Sequence, residues 1–133
     1  MSDCFILLAA GKGKRFKSNT LKQFHILNGK PLIYHSIEKA IKSKIFKEVI
    51  VVTNSKIKKP KDKNIKVIKG GLERFESSKR ALEYIKNKKF KNVYIHDAAR
   101  PNFSIKLLER LKKKLNKNKA VVPYTNTDHS VKY

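Results

Sequence analysis

The chain has 133 residues, and its 33 lysine and arginine residues against 10 aspartate and glutamate residues give a formal net charge of +23. Its hydrophobic share of 40% is enough for one core, which excludes a wholly disordered chain, and its four prolines and five glycines exclude a collagen-like one. The single cysteine, Cys4, excludes an internal disulfide framework and a Cys-rich zinc site.

Hydrophobic patterning predicts strands that alternate with helices. The apolar run Asp3–Leu8 ends abruptly at Ala9-Ala10-Gly11, and Asn28-Gly29 is a turn signal ahead of Pro31, which suits the first turn of a helix. In chain order we predict strand Asp3–Leu8, helix Pro31–Lys42, strand Glu48–Thr53, strand Ile65–Lys69, helix Glu73–Asn87, strand Asn92–His96, a helix capped by Ser104 and ending near Leu115, and a fifth strand opening at Ala120–Pro123. This alternation is typical of an α/β domain with a mostly parallel sheet.

The two ends of the chain lead to two further expectations. The longest apolar run, residues 4–10, is too short to span a bilayer, and Asp3 precedes it where a signal peptide would have a basic leader. We therefore expect a cytoplasmic protein with no membrane partner. The chain stops at Tyr133 with no helix after the last predicted strand, so we also expect a fold that is incomplete at its carboxyl end.

The positive charge raises the question of a nucleic-acid partner. Only five of the 33 basic residues are arginines, and the lysines are scattered along the chain. Arginine and aromatic side chains, which read base edges, are therefore sparse, and we expect no specific nucleic-acid partner. A non-catalytic polyanion-binding domain stays open as an alternative function.

Three predicted strand ends carry residues suited to a phosphate-containing ligand. Residues 8–16 form a glycine-basic loop whose N–H groups can make an anion-binding nest, although the loop is neither a P-loop nor a full dinucleotide fingerprint. Asp97 is placed either to hold Mg²⁺ or simply to start a turn. The third strand end carries Gly70-Gly71, followed by Ser77 on the first turn of a helix.

Five segments occur in order along the chain. They are Leu8-Ala9-Ala10-Gly11-Lys12-Gly13-Lys14-Arg15-Phe16, Lys22-Gln23-Phe24, Gly29-Lys30-Pro31-Leu32, Gly70-Gly71-x-Glu73-Arg74-x-x-Ser77 and His96-Asp97-Ala98-Ala99-Arg100-Pro101. This pattern resembles the 2-C-methyl-D-erythritol 4-phosphate cytidylyltransferase family from about Cys4 to Lys132, and the last two segments together are highly specific. The resemblance implies a Rossmann-like three-layer nucleotidyltransferase fold over residues 1–133.

The resemblance also implies a reaction and its participants. The phosphate of a sugar-alcohol phosphate, 2-C-methyl-D-erythritol 4-phosphate, would attack the α-phosphate of CTP, and pyrophosphate would leave, in non-mevalonate isoprenoid biosynthesis. The related ribitol-5-phosphate cytidylyltransferase shares most of the pattern and stays open as the alternative. The matched positions are Arg15 and Lys22 for catalysis, Asp97 for Mg²⁺, Ala9, Ala10, Gly11, Gly13, Gly71, Arg74, Ser77, Ala98 and Arg100 for the nucleotide, and either Thr127 or Ser130 for the substrate phosphate.

The chain departs from the family pattern in two respects. Leu21 stands where the family has proline before the Lys22 segment, and extra residues after Pro123 leave open whether Thr127 or Ser130 matches the phosphate-binding threonine. The family continues beyond this length with an arm that forms its homodimer and with a further catalytic-site lysine, and some members carry a second fused enzyme. We therefore expect a chain that keeps the CTP-binding part, lacks the dimerisation arm and turns over weakly.

Overall fold

A four-stranded parallel sheet forms the centre of the computed structural model, which describes residues 2–11 and 21–124. The sheet strands are β1 (Asp3–Leu8), β4 (Phe46–Val52), β5 (Ile65–Ile68) and β6 (Asn92–Asp97); a small hairpin consists of β2 (Ile26–Leu27) and β3 (Lys30–Pro31); the helices are α1 (Leu32–Ser43), α2 (Arg74–Ile85) and α3 (Ile105–Leu115). The sheet order is β5-β4-β1-β6 and every neighbouring pair is parallel. The α/β prediction is confirmed.

Strand β1 is buried on both faces, which makes the fold three-layered. Phe5 and Leu7 pack in one core with residues of α1 and α3, whereas Ile6 and Leu8 pack in a second core with residues of α2. Successive side chains of a strand point to opposite faces, so an uninterrupted apolar run is what a strand between two helical layers requires. Complete burial of a side chain such as Ile6 stabilises the fold by about 1.5–3 kcal/mol.

Local sequence signals predicted most ends of helices and strands to within a few residues of their positions in the structure. The Asn28-Gly29 turn joins β2 to β3, and both residues have positive φ values, 51° and 84°, as a type I′ hairpin turn requires. The Ser104 side chain accepts a hydrogen bond from the Leu107 N–H at 3.1 Å, which confirms the predicted cap of α3. Helix α2 is shorter than predicted, since it ends at Ile85 and not at Asn87.

The predicted fifth strand at Ala120–Pro123 is wrong. Residues 120–124 have no regular secondary structure, and Val122 and Tyr124 are 83% and 86% exposed. A β-branched sequence favours an extended backbone, but a strand also needs a partner to complete its hydrogen-bond ladder. Within the described parts of the chain, residues 120–124 pair with no strand.

No helix among residues 2–11 and 21–124 combines the length and the apolar character needed to cross a membrane.

The Cys4 thiol is expected to be unreactive in the folded protein. Cys4 is fully buried, and burial, with a smaller contribution from Glu48, raises the pKa of its thiol from 9.0 to about 12. Alkylation by iodoacetamide at pH 8 should be roughly 100-fold slower in the native state than in denaturant, because it requires an opening of the fold. Equal rates in the two states would contradict this prediction.

The same raised pKa predicts a loss of stability at high pH. The unfolded thiol ionises near its ordinary pKa of 9.0, whereas the folded thiol stays neutral until about 12. The contribution of the neutral buried thiol is therefore complete below pH 9 and is lost between pH 9 and 12. A Cys4→Ala variant should show a smaller decrease in the free energy of unfolding over this range in denaturant titrations.

Candidate nucleotide site

A small cleft of about 130 Å³ lies at the carboxyl edge of the sheet. The carboxyl ends of parallel strands meet at one edge, where open α/β sheets bind ligands. The cleft is lined by Leu8, Ala10, Gly11, Gly71, Leu72, Glu73, Arg74, Ser77 and Asp97. The structure thus brings together predicted residues from all three strand-end loops, from Ala10 to Asp97, which are 87 positions apart in the sequence.

Backbone hydrogen bonds fix the start of each loop to a neighbouring strand. The Ala9 N–H donates to the Val52 carbonyl at 2.7 Å, and the Ala98 N–H donates to the Leu8 carbonyl at 2.9 Å. Ala9 and Ala98 are themselves 3% and 0% exposed. These two predicted residues therefore lie beneath the cleft and hold its base, whereas Ala10 borders it directly.

Side chains from two elements hold the Gly70-Gly71 backbone. The Gly71 N–H donates to Ser77 Oγ at 3.1 Å, the Asn54 amide donates to the Gly71 carbonyl at 3.2 Å, and Arg80 donates to the Gly70 carbonyl at 2.8 Å. The backbone beside the cleft is therefore held in one conformation before any ligand binds. Such preorganisation lowers the ordering cost of binding.

Both glycines are required by close packing. A Cβ on Gly70 would lie 2.4 Å from Ala10 Cβ and 2.8 Å from Ser77 Oγ, and one on Gly71 would lie 2.4 Å from Glu76 Cβ. All three distances are well below ordinary van der Waals contact. The loops after β1 and β5 can approach each other this closely only because residue 70 has no side chain.

Asp97, the last residue of β6, lies close to two arginine side chains. Its Oδ1 accepts a hydrogen bond from the Ala99 N–H at 2.9 Å, and its Oδ2 lies 3.7 Å from Arg74 Nη1 and 3.9 Å from Arg100 Nε. The Arg74 and Arg100 side chains are 66% and 74% exposed, so these ion pairs are long and solvated and contribute little stability. Both guanidinium groups can therefore turn toward an anion in the cleft.

The residues that line the cleft fit a hard divalent cation that is coordinated by protein carboxylates together with phosphate oxygens. Asp97 and Glu73 both line the cleft, and each carboxylate oxygen of Asp97 has a lone pair beyond its contacts to Ala99 and the arginines. The described part of the chain contains no group of three or more His, Cys, Asp or Glu side chains able to enclose a metal. Mg²⁺ is suited to such a site, since it commonly binds one or two carboxylates together with substrate phosphates and water.

Lys22 lies on a single turn of 3₁₀ helix, Lys22–Phe24, next to the loop after β1. Its neighbour Gln23 is 4% exposed and donates from Nε2 to the Ala9 carbonyl at 2.8 Å and to the Gly11 carbonyl at 3.1 Å. The turn that carries Lys22 is therefore joined directly to the loop that borders the cleft. The predicted residues Gly13, Arg15, Thr127 and Ser130 lie outside the described residues.

Sequence reasoning missed three side chains that shape the site: Gln23, Asn54 and Arg80. Gln23 lies inside one of the family-like segments, so its position was visible although its role was not. Asn54 lies two residues after the end of β4, at the same edge of the sheet as the predicted strand-end residues. Nothing in the sequence marks Arg80, which reaches the Gly70 carbonyl from a helix that packs against β1 and β4.

Comparison with known proteins shows the family. The model of the 2-C-methyl-D-erythritol 4-phosphate cytidylyltransferase family matches residues 4–132. The bifunctional enzyme IspD/IspF of Pelagibacter ubique is 50% identical over 99% of this chain, and the 2-C-methyl-D-erythritol 4-phosphate cytidylyltransferase of Caldicellulosiruptor bescii is 39% identical over 100% of it. The chain spans 37% and 62% of the lengths of these two relatives.

A solved structure supports the same assignment. The bifunctional IspDF from Campylobacter jejuni matches 88% of this chain and 31% of its own with a TM-score of 0.75 and 35% sequence identity. Both the sequence match and the fold therefore lead to one family, and the family match over residues 4–132 includes the strand-end segments that line the cleft. This chain belongs to the 2-C-methyl-D-erythritol 4-phosphate cytidylyltransferase family.

Proposed function

We propose that the chain is a nucleotidyltransferase domain over residues 1–133 that transfers CMP from CTP to 2-C-methyl-D-erythritol 4-phosphate and releases pyrophosphate in isoprenoid biosynthesis. The observation that carries the proposal is the convergence of Gly71, Ser77 and Asp97 with the loop after β1 around one cleft. The proposal includes a cytoplasmic location, where CTP is available.

The cleft suits the base and phosphates of a nucleotide. Its volume of about 130 Å³ accommodates a single pyrimidine ring better than a fused purine, and Gly71 and Ser77 border it with polar groups. The amino end of α2 reaches the cleft at Arg74, and the positive end of a helix dipole favours anions there. We assign Ala10, Gly11 and Gly13 to the nucleotide as well, with Ala9 and Ala98 supporting the base of the pocket from beneath and Arg74 and Arg100 bracing it.

The chemistry needs positioning and charge more than proton transfer. A phosphate oxygen of the acceptor forms a bond to the α-phosphorus of CTP, and the bond from that phosphorus to the oxygen bridging the β-phosphate breaks. The attacking phosphate is already anionic, so the step requires no general base. The negative charge that develops on the α-phosphoryl oxygens and on pyrophosphate would be stabilised by Arg15 and Lys22.

Two further groups complete the proposed site. Asp97 would hold Mg²⁺, which supplies charge neutralisation beside the triphosphate when it is bound. Either Thr127 or Ser130 would bind the phosphate of the acceptor.

The identity of the acceptor is tested by supplying 2-C-methyl-D-erythritol 4-phosphate and ribitol 5-phosphate in parallel and measuring pyrophosphate release.

The first test is a calorimetric titration with CTP, with UTP and ATP as controls, in the presence and absence of Mg²⁺. We expect CTP to bind at least about tenfold more tightly than ATP, and only with Mg²⁺, because the cleft is small and the triphosphate charge needs neutralisation. Affinity that is equal for all nucleotides and falls steeply with salt would contradict the proposal and favour the polyanion-binding alternative.

A further inference from the structure

Gln23 occupies a buried position between the core and the proposed phosphate site. It lies between Lys22 and Phe24 on the 3₁₀ turn, and Phe24 packs against the core shared by α1, α3 and the sheet. The turn is closed by the Phe24 N–H, which donates to the Leu21 carbonyl at 2.9 Å. Because the turn is packed against the core, the Gln23 side chain has a fixed position and can hold the neighbouring loop by hydrogen bonds.

The Gln23 amide binds both carbonyls that flank Ala10. Its Nε2 donates to Ala9 O at 2.8 Å and to Gly11 O at 3.1 Å, so both of its hydrogens are used. The Ala9 N–H is already bound to Val52 O. Both backbone polar groups of Ala9 are therefore held, one by the sheet and the other by Gln23.

These hydrogen bonds determine which way the backbone donors of the loop face. The carbonyl and the N–H of a trans peptide group point in opposite directions, so an Ala9 carbonyl turned toward Gln23 turns the Ala10 N–H away from it. Ala10 lines the cleft, and its N–H has no acceptor within residues 2–11 and 21–124. An N–H group oriented in advance is the kind of donor that binds phosphate oxygens.

We propose that Gln23 is a positioning residue that holds the backbone of residues 9–11 in its phosphate-binding conformation and sets the spacing between this loop and Lys22. The inference rests on the proposed CTP-binding function and deepens it. Gln23 is buried and acts through the backbone carbonyls of Ala9 and Gly11, so its loss should weaken binding of the triphosphate far more than binding of the base and ribose.

The test compares CTP with cytidine in the full chain and in the Gln23→Met variant. Methionine keeps the length and the burial of the side chain but donates no hydrogen bond, so the Ala9 and Gly11 carbonyls lose their partner. We expect the dissociation constant of CTP with Mg²⁺ to rise at least about tenfold, and that of cytidine, measured by ligand-observed NMR, to change less than about twofold.

Two further variants separate positioning from a general loss of stability. Gln23→Asn keeps an amide, but its side chain is one methylene too short to reach both carbonyls. We expect it to lose an intermediate part of the CTP affinity, and it replaces Gln23→Met as the test if that variant does not fold. Asn92→Ala removes a comparable amide donor, which bonds Asp3 Oδ1 at 3.2 Å at the opposite edge of the sheet, and should leave both ligands unaffected.

The outcomes distinguish this inference from the proposed function. Failure of the unaltered chain to bind CTP would contradict the function itself. Unchanged CTP affinity in both Gln23 variants, or an equal loss of CTP and cytidine affinity, would overturn the positioning role while the function stands.

Discussion

The Gly70→Ala variant is expected to lose about 1–3 kcal/mol of stability and at least about tenfold in CTP affinity. The added methyl group would lie 2.4 Å from Ala10 Cβ and 2.8 Å from Ser77 Oγ, so the loop after β1 or the start of α2 must move. Both groups border the cleft, and the movement therefore alters the site as well as the packing. Denaturant unfolding and calorimetric titration measure the two effects on the same sample.

A second substitution tests the cause of the Gly70→Ala effect. Combining it with Ala10→Gly removes the closer of the two clashing atoms, so the double variant should recover much of the lost stability. Val49→Ile serves as the control, because it adds one methylene to the core at the middle of β4, three residues before the end of the strand, and should lower stability without changing CTP affinity. Wild-type affinity in Gly70→Ala would show that the two loops are not in contact when the nucleotide binds.

The Asp97→Asn variant is expected to lose the dependence of CTP binding on Mg²⁺. Asparagine keeps the size of the side chain and an oxygen that can accept the Ala99 hydrogen bond, but it removes the negative charge that would hold the cation. We expect CTP affinity in the presence of Mg²⁺ to fall at least about tenfold, to the level measured in its absence. Stability should change little, because the contacts of Asp97 with Arg74 and Arg100 are long and solvated.

Asp62→Asn is a closely matched control for this experiment. Asp62 Oδ1 accepts a hydrogen bond from the N–H two residues later, at 2.8 Å, as Asp97 Oδ1 does, but it lies in the loop that precedes β5, at the amino end of that strand. The control should retain the full response to Mg²⁺. Retention of the same response by Asp97→Asn would remove Asp97 from the metal site.

Much of the candidate site could be predicted because its residues directly follow buried strands. The apolar run of β1 and the β-branched run of β4 are local signals, and parallel strands bring their carboxyl ends to one edge. The family resemblance implied that Gly71, Ser77 and Asp97 serve one site, and the shared edge of a parallel sheet explains how they can lie close together. The cleft that they line together agrees with it.

The unpredicted contacts join residues that have no local relation. Gln23 reaches a carbonyl 14 positions earlier in the chain, and Arg80 reaches one 10 positions earlier. The predicted strand at residues 120–123 was wrong for a related reason. The segment has strand propensity, but no strand partner lies beside it in the described residues. Secondary-structure propensity is a property of one segment, whereas each of these contacts, and the pairing of a strand, depends on a second segment.

By itself the sequence determined the alternation of strands and helices, the turn at Asn28-Gly29, the cap at Ser104 and the family pattern at the strand ends. Each of these depends on backbone preferences or residue types within a few positions. Only the tertiary structure decided that a Cβ at Gly70 would meet Ala10, that Arg74 stands beside Asp97, and that Gln23 holds the loop after β1. These are distances between separate elements, and they are set when the helices pack against the two faces of the sheet.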